Sequence, residues 1–123
     1  VLKTLKEKGY KIALATSKPE IYAKQILEKF NLAPYFDVIK GSKLNDRSEN
    51  KTRIMKEAMD YFNDSDLSKF IMIGDRKFDI LGAQQLGIDS IGVTYGYGSK
   101  EELLESNATY IIDAPLDILK AIA

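Results

Sequence analysis

The 123-residue sequence contains neither cysteine nor histidine. Without Cys there are no disulfides, thiolate zinc sites or thiol nucleophiles; without His there is no imidazole general base, no Ser-His-Asp arrangement and no histidine metal ligand. A charge excess is missing too. Lys and Arg number 18 against 18 Asp and Glu, so a nucleic acid or an anionic membrane has no electrostatic support as a partner. Apolar runs extend only a few residues, too short for a membrane-spanning helix, and no signal peptide opens the sequence, so a cytoplasmic location is expected. The sequence also starts at Val1 inside an amphipathic pattern and has its first Met at Met55, as expected of an internal piece of something longer.

What is present is ordinary globular composition, 45% hydrophobic and 29% charged, at a length that makes one domain the default. Its chemistry must run on carboxylates, hydroxyls, Lys, Arg and backbone amides, with or without a hard metal ion. Residues 1–8 have helical spacing and end at Gly9. Residues 11–16 hold Ile12, Ala13, Leu14 and Ala15, apolar on both faces as in a strand buried on both sides of a parallel sheet. Ser17, Pro19 and Glu20 read as the start of a helix capped by Ser17, with a core stripe of Ala23, Ile26, Leu27 and Phe30.

A short strand at 36–39, a polar loop at 41–50 and a helix over 49–62 follow, the helix marked by Ile54, Met55, Ala58, Met59 and Phe62. Next come an apolar strand at 70–73, a helix at 77–86 stopped by Gly87, and a strand at 88–93. The remainder reads as a loop with Gly96 and Gly98, a helix opened by Ser99, a strand at 110–112 and a last helix opened by Asp113 and Pro115. Alternating short strands and helices mean α/β.

In such sheets ligands bind beyond the carboxyl ends of the strands. Asp75, directly after an apolar strand, and Asp79, one helical turn later, can face one point in space, and carboxylate oxygens suit Mg²⁺. The simpler reading is that acids in a first turn complement the helix dipole. Gly74 argues for a close backbone approach instead. Thr16 and Ser17 offer a hydroxyl and free helix-start amides to a phosphate, although a capping role would account for Ser17. Lys51 is a cation in the first turn of its helix and opposes the dipole, a violation that is often kept for function, although Arg76 and Lys77 sit as close to a helix start. Hydroxyl, Lys and two acids together describe a site for a Mg²⁺-bound phosphoryl group.

The runs ALATSKP (residues 13–19), the lysine of RSENK (47–51) and IMIGDRKFDILGAQQLGIDSIGVTYGYGS (71–99) resemble the second, third and fourth motifs of the haloacid dehalogenase superfamily, in its phosphoglycolate phosphatase branch. The resemblance spans essentially the whole sequence. It implies a Rossmann-like three-layer α/β/α parallel sheet and a Mg²⁺-dependent hydrolase of small phosphomonoesters. Thr16, Lys51, Asp75 and Asp79 would be catalytic; Thr16, Ser17 (through its amide) and Lys51 would bind phosphate; Asp75 and Asp79 would bind the metal. Gly82 and Ala83 would pack a helix closely on the sheet.

The family's nucleophile, the first Asp of a DxDGT-type motif on an earlier strand, has no counterpart here, and neither does its cap domain. The DxD at Asp64-Ser65-Asp66 reads as a turn. Residues 1–123 are therefore expected to form most of a core domain that lacks its central strand, placed between the strands ending at Thr16 and Gly74. Those strands are expected to pair directly or to borrow a strand from another chain, as a monomer or a strand-exchanged dimer. Other readings are a non-catalytic phosphate-binding domain, a phosphoglucomutase-like phosphoryl transferase and a receiver-like domain lacking its acid pair. A dinucleotide site at Gly96-Tyr97-Gly98 would need a Gly where Glu101 stands.

Overall fold

A computed structural model describes residues 1–43 and 51–122. The expected start of the third helix at residue 49, most of the polar loop and the first four residues of the RSENK run lie outside the described residues. The chain forms two compact units, Leu2–Asn63 and, from Asp64 on, a second one.

The first unit contains α1 (Leu2–Glu7), β1 (Ala13–Pro19), α2 (Glu20–Lys29), β2 (Val38–Ser42) and α3 (Lys51–Tyr61). β1 and β2 pair in parallel, with Ala13 opposite Val38 and Ala15 opposite Lys40; the register then breaks and resumes at Pro19 and Ser42. Ile54, Met55 and Ala58 of α3 and Ala23 and Leu27 of α2 are buried, and both helices pack on this two-stranded sheet. α1 is fastened by Lys6, whose ammonium lies 2.7 and 2.9 Å from the two carboxylate oxygens of Asp37. The same carboxylate accepts the Ile12 N–H at 2.7 Å. Partial desolvation pushes the Asp37 pKa up, but the Lys6 and Ile12 hydrogen bonds and the charges of Lys6 and Lys11 outweigh it and hold the group below its ordinary value.

Three expectations fail in this unit, the first being the strand expected at 36–39, which lies at Val38–Ser42 and takes in Gly41 and Ser42 of the expected loop. The second helix begins at Glu20, and Ser17 does not cap it: β1 runs on to Pro19, which occupies the N-cap position with an extended backbone at φ −54 and ψ 133. Lys18 precedes a proline and is biased away from helical geometry, so it is a poor first helical residue and Ser17 a poor cap. Glu20 instead accepts the Gly41 N–H at 3.2 Å. Ile26 and Phe30, assigned to the core stripe, are 43% and 63% exposed. Only the Ala23 and Leu27 part of the stripe meets the sheet, because two short strands cover a narrow strip of helix.

The second unit contains β3 (Ile71–Gly74), α4 (Lys77–Leu86), β4 (Asp89–Val93), α5 (Lys100–Glu105), β5 (Tyr110–Ile112) and α6 (Asp117–Ala121). Its sheet is parallel in the order β3-β4-β5, with Ile71 opposite Asp89 and Ile91 opposite Tyr110. Ile91, Val93, Ile112 and Ile118 form its core cluster; Ile80, Ala83 and Leu103 are fully enclosed as well. α6 starts at Asp117, later than expected, and Asp113 accepts a hydrogen bond from the Thr94 hydroxyl at 2.7 Å. Asp64 and Asp66 behave as turn residues, each accepting a backbone N–H two positions on.

The fold is a Rossmann-like parallel α/β arrangement. Among the described residues its strands form two sheets, in which β1 pairs with β2 and β3 with β4. That explains a further departure. β1 and β3 have the composition of strands covered on both faces, yet none of their residues is fully buried, whereas β4, flanked on both sides, is buried from Ser90 to Val93. No helix among the described residues is long and apolar enough to cross a membrane.

Candidate active site

In the first unit the break in β1 creates the local geometry. Residues 16–18 fall between the paired positions of β1 and β2. The Thr16 hydroxyl accepts the Lys18 N–H at 3.2 Å, closing a small turn. Ser17 is exposed within this segment, and with its capping role gone the simpler explanation for it is gone too. Lys51 opens α3 and sends its ammonium to the Ala15 carbonyl at 2.5 Å. The structure thus brings Lys51 to the break in β1 that carries Thr16 and Ser17. A fixed cation, a hydroxyl and an exposed stretch of β1 between ladder positions form a cradle suited to an oxyanion.

In the second unit Asp75 directly follows β3, and Asp79 lies in the first turn of α4. Asp79 is 7% exposed, and its carboxylate accepts the Arg76 N–H at 3.3 Å. It therefore does cap its helix, as the simpler reading held. Capping does not account for Gly74, where a Cβ would collide with the Asp79 side chain. Absence of a side chain at residue 74 is what lets Asp79 fold back against the strand end. Asp75 is gripped from the other side, its Oδ2 accepting the Tyr97 N–H at 2.8 Å. A Cβ on Gly96 would overlap the Asp75 carboxylate, and one on Gly98 the Asp75 main chain. The Gly-punctuated loop therefore wraps the acid, and Gly96-Tyr97-Gly98 serves this contact.

Glu102 was not singled out from the sequence. Its Oε2 accepts Arg76 Nε at 3.0 Å and the Lys77 N–H at 2.9 Å, while Oε1 accepts Arg76 Nη2 at 3.4 Å. Its own N–H is capped by Ser99 Oγ at 3.1 Å. The Arg76 hydrogen bond, then the Lys77 N–H, hold the Glu102 pKa below its ordinary value, and Glu102 in turn raises that of Arg76. A partner 26 residues away leaves no local signal in the sequence.

Residues 1–93 match the family model for haloacid dehalogenase-like hydrolase. The chain belongs to that family. Among relatives of this haloacid dehalogenase-like chain, a phosphoglycolate phosphatase of Vibrio parahaemolyticus is 32% identical over 99% of the chain and 53% of its own length. A 5'-nucleotidase of Pseudomonas aeruginosa is 34% identical over 89% of the chain and 49% of its own length. A crystal structure of a Clostridium difficile protein assigned as a phosphatase superposes with a TM-score of 0.96 at 44% identity, covering 99% of this chain and 57% of that one. The chain spans about half the length of the curated relatives it matches.

The family implies Mg²⁺, and the donor set fits it. Among the described residues no cluster of three or more acidic side chains forms a closed metal cage. Two carboxylates at one strand end suffice for an ion that is commonly held by one or two carboxylates, waters and substrate phosphate. Asp75 uses one oxygen for Tyr97, and its Oδ1 takes no hydrogen bond among the described residues.

Proposed function

We propose that the protein carrying this chain is a Mg²⁺-dependent hydrolase of small phosphomonoesters, and that residues 1–123 form the major, C-terminal part of its core domain. The observation that carries the reading is the Lys51 ammonium on the Ala15 carbonyl, which sets a cation beside Thr16 and Ser17 at a strand end of a haloacid dehalogenase-like fold. Lys51 and the Thr16 hydroxyl hold the phosphoryl oxygens, with the Ser17 amide as a further donor. Asp75 and Asp79 would hold Mg²⁺, which would supply charge neutralisation for phosphoryl chemistry. The attacking carboxylate, on which an aspartyl-phosphate forms and is then hydrolysed, belongs to a DxDGT-type motif that this sequence does not contain.

Phosphoglycolate and nucleoside monophosphates are the substrate classes named by the relatives, and both are small phosphomonoesters. The test is titration with inorganic phosphate and a phosphatase assay, each with Mg²⁺, on the 123-residue chain and its Lys51→Ala variant. Phosphate binding that weakens about 10- to 100-fold in the variant, the size of a lost charged hydrogen bond, is expected without turnover by either protein. Robust Lys51-dependent hydrolysis would show that the nucleophile is within this sequence, and unchanged phosphate binding would remove Lys51 from the site.

A further inference from the structure

Five charged groups crowd the end of β3: the carboxylates of Asp75, Asp79 and Glu102 and the cations of Arg76 and Lys77. Three carboxylates against two cations leave one negative charge, which favours a divalent cation; without Glu102 the cluster would be neutral. Arg76 is the critical member, since its long guanidinium follows Asp75 directly in sequence and is the strongest competitor for that carboxylate. It does not take it. Glu102 receives the guanidinium through two hydrogen bonds, at 3.0 and 3.4 Å, and the Phe78 ring, 5.3 Å from the guanidinium carbon, lies under it. Asp75 is left with the Tyr97 N–H.

We propose that Glu102 is a positioning residue that holds Arg76 away from Asp75 and so keeps the Asp75 carboxylate open to Mg²⁺. This rests on the reading of Asp75 as a metal ligand. Glu102 touches neither metal nor substrate. It acts by occupying the fork of the side chain that would otherwise close the site, and the Lys77 N–H bond keeps it in place.

The experiment is calorimetric titration of the intact protein with Mg²⁺, without substrate, for wild type, Asp75→Asn, Glu102→Gln, Arg76→Ala and the Arg76→Ala/Glu102→Gln double variant. Glu102→Gln is expected to weaken Mg²⁺ binding about tenfold, the low end for an outer-shell change. The double variant is expected to return within about twofold of wild type, because the competitor is gone. A merely structural role for Glu102 gives no such rescue, so a double variant as weak as Glu102→Gln overturns the inference, as does an unchanged Glu102→Gln. Should Glu102→Gln fail to fold, Arg76→Ala alone decides: binding at least as tight as wild type supports the inference and weaker binding overturns it. Failure of the metal reading looks different. There, wild type takes up no Mg²⁺ or Asp75→Asn binds as well as wild type, and both readings fall.

Discussion

Replacing Gly96 with Ala tests how tightly the loop after β4 encloses Asp75. The added methyl would overlap the Asp75 side chain, and Gly96 does not have the positive φ that would make the change a matter of backbone strain. The effect is therefore one of space. Moving the carboxylate aside breaks the 2.8 Å bond from the Tyr97 N–H, a hydrogen bond to a charged group worth about 1.5–3 kcal/mol. Keeping it in place forces overpacking at about 1–3 kcal/mol. Relaxation should share these costs, giving a loss of about 3 kcal/mol, or roughly 12 °C in melting temperature for a domain of this length.

Gly9→Ala is the control. Gly9 sits at φ +89, and a Cβ added there would meet nothing within 4 Å, so its cost is about 1–2 kcal/mol of left-handed backbone strain without a collision. Urea unfolding of both variants, paired with Mg²⁺ titration, separates the two effects. Both should lose stability, and Gly96→Ala alone should lose Mg²⁺ affinity. A Gly96→Ala protein within about 1 kcal/mol of wild type and with unchanged Mg²⁺ binding would refute the enclosure.

Ile80 has no exposed surface and lies next to Asp79 in α4; Ile80→Ala should cost about 2–5 kcal/mol, read by urea unfolding, and a loss below 1 kcal/mol would mean the helix can collapse onto the sheet. Asp37 has a folded-state pKa below its ordinary 3.8, so its stabilisation is complete above that value and disappears as pH falls through the lowered pKa. Stability of wild type should therefore drop more steeply below about pH 4 than that of Asp37→Asn, and parallel profiles would deny the Lys6–Asp37 clasp a role. Lys51→Ala should release the Ala15 carbonyl and weaken phosphate binding without reducing Mg²⁺ affinity at Asp75, which calorimetry with each ligand separately would show.

Elements whose signals are local could be read directly. α4 is bounded by Arg76 and Gly87 and spans Lys77–Leu86 as its spacing predicts, and β5 likewise falls at Tyr110–Ile112. Ser99 caps α5 as expected, accepting the Glu102 N–H. What failed depended on surroundings. Ser17 has the composition of a cap, but the next-but-one proline keeps the chain extended through that point. Ile26 and Phe30 have helical spacing, yet which part of an apolar stripe is covered depends on how wide the facing sheet is. Of the proposed site, the acids, the Lys and the hydroxyl are read from the sequence by type and position alone. Glu102 and the Tyr97 N–H were not, because each acts through a contact more than twenty residues away.

The interrupted register of β1 has a kinetic meaning. β4 is held by a strand on each side, so its amides should open only with the global unfolding of its unit, on the slowest hydrogen-exchange timescale. Residues 16–18 lie between ladder positions and should exchange through small, frequent openings that leave the rest intact. Within one short strand the chain passes from a paired stretch at Ala13–Ala15 to a segment that should readjust in place without disturbing the sheet behind it, a property that suits the phosphate contact proposed for Thr16 and Ser17.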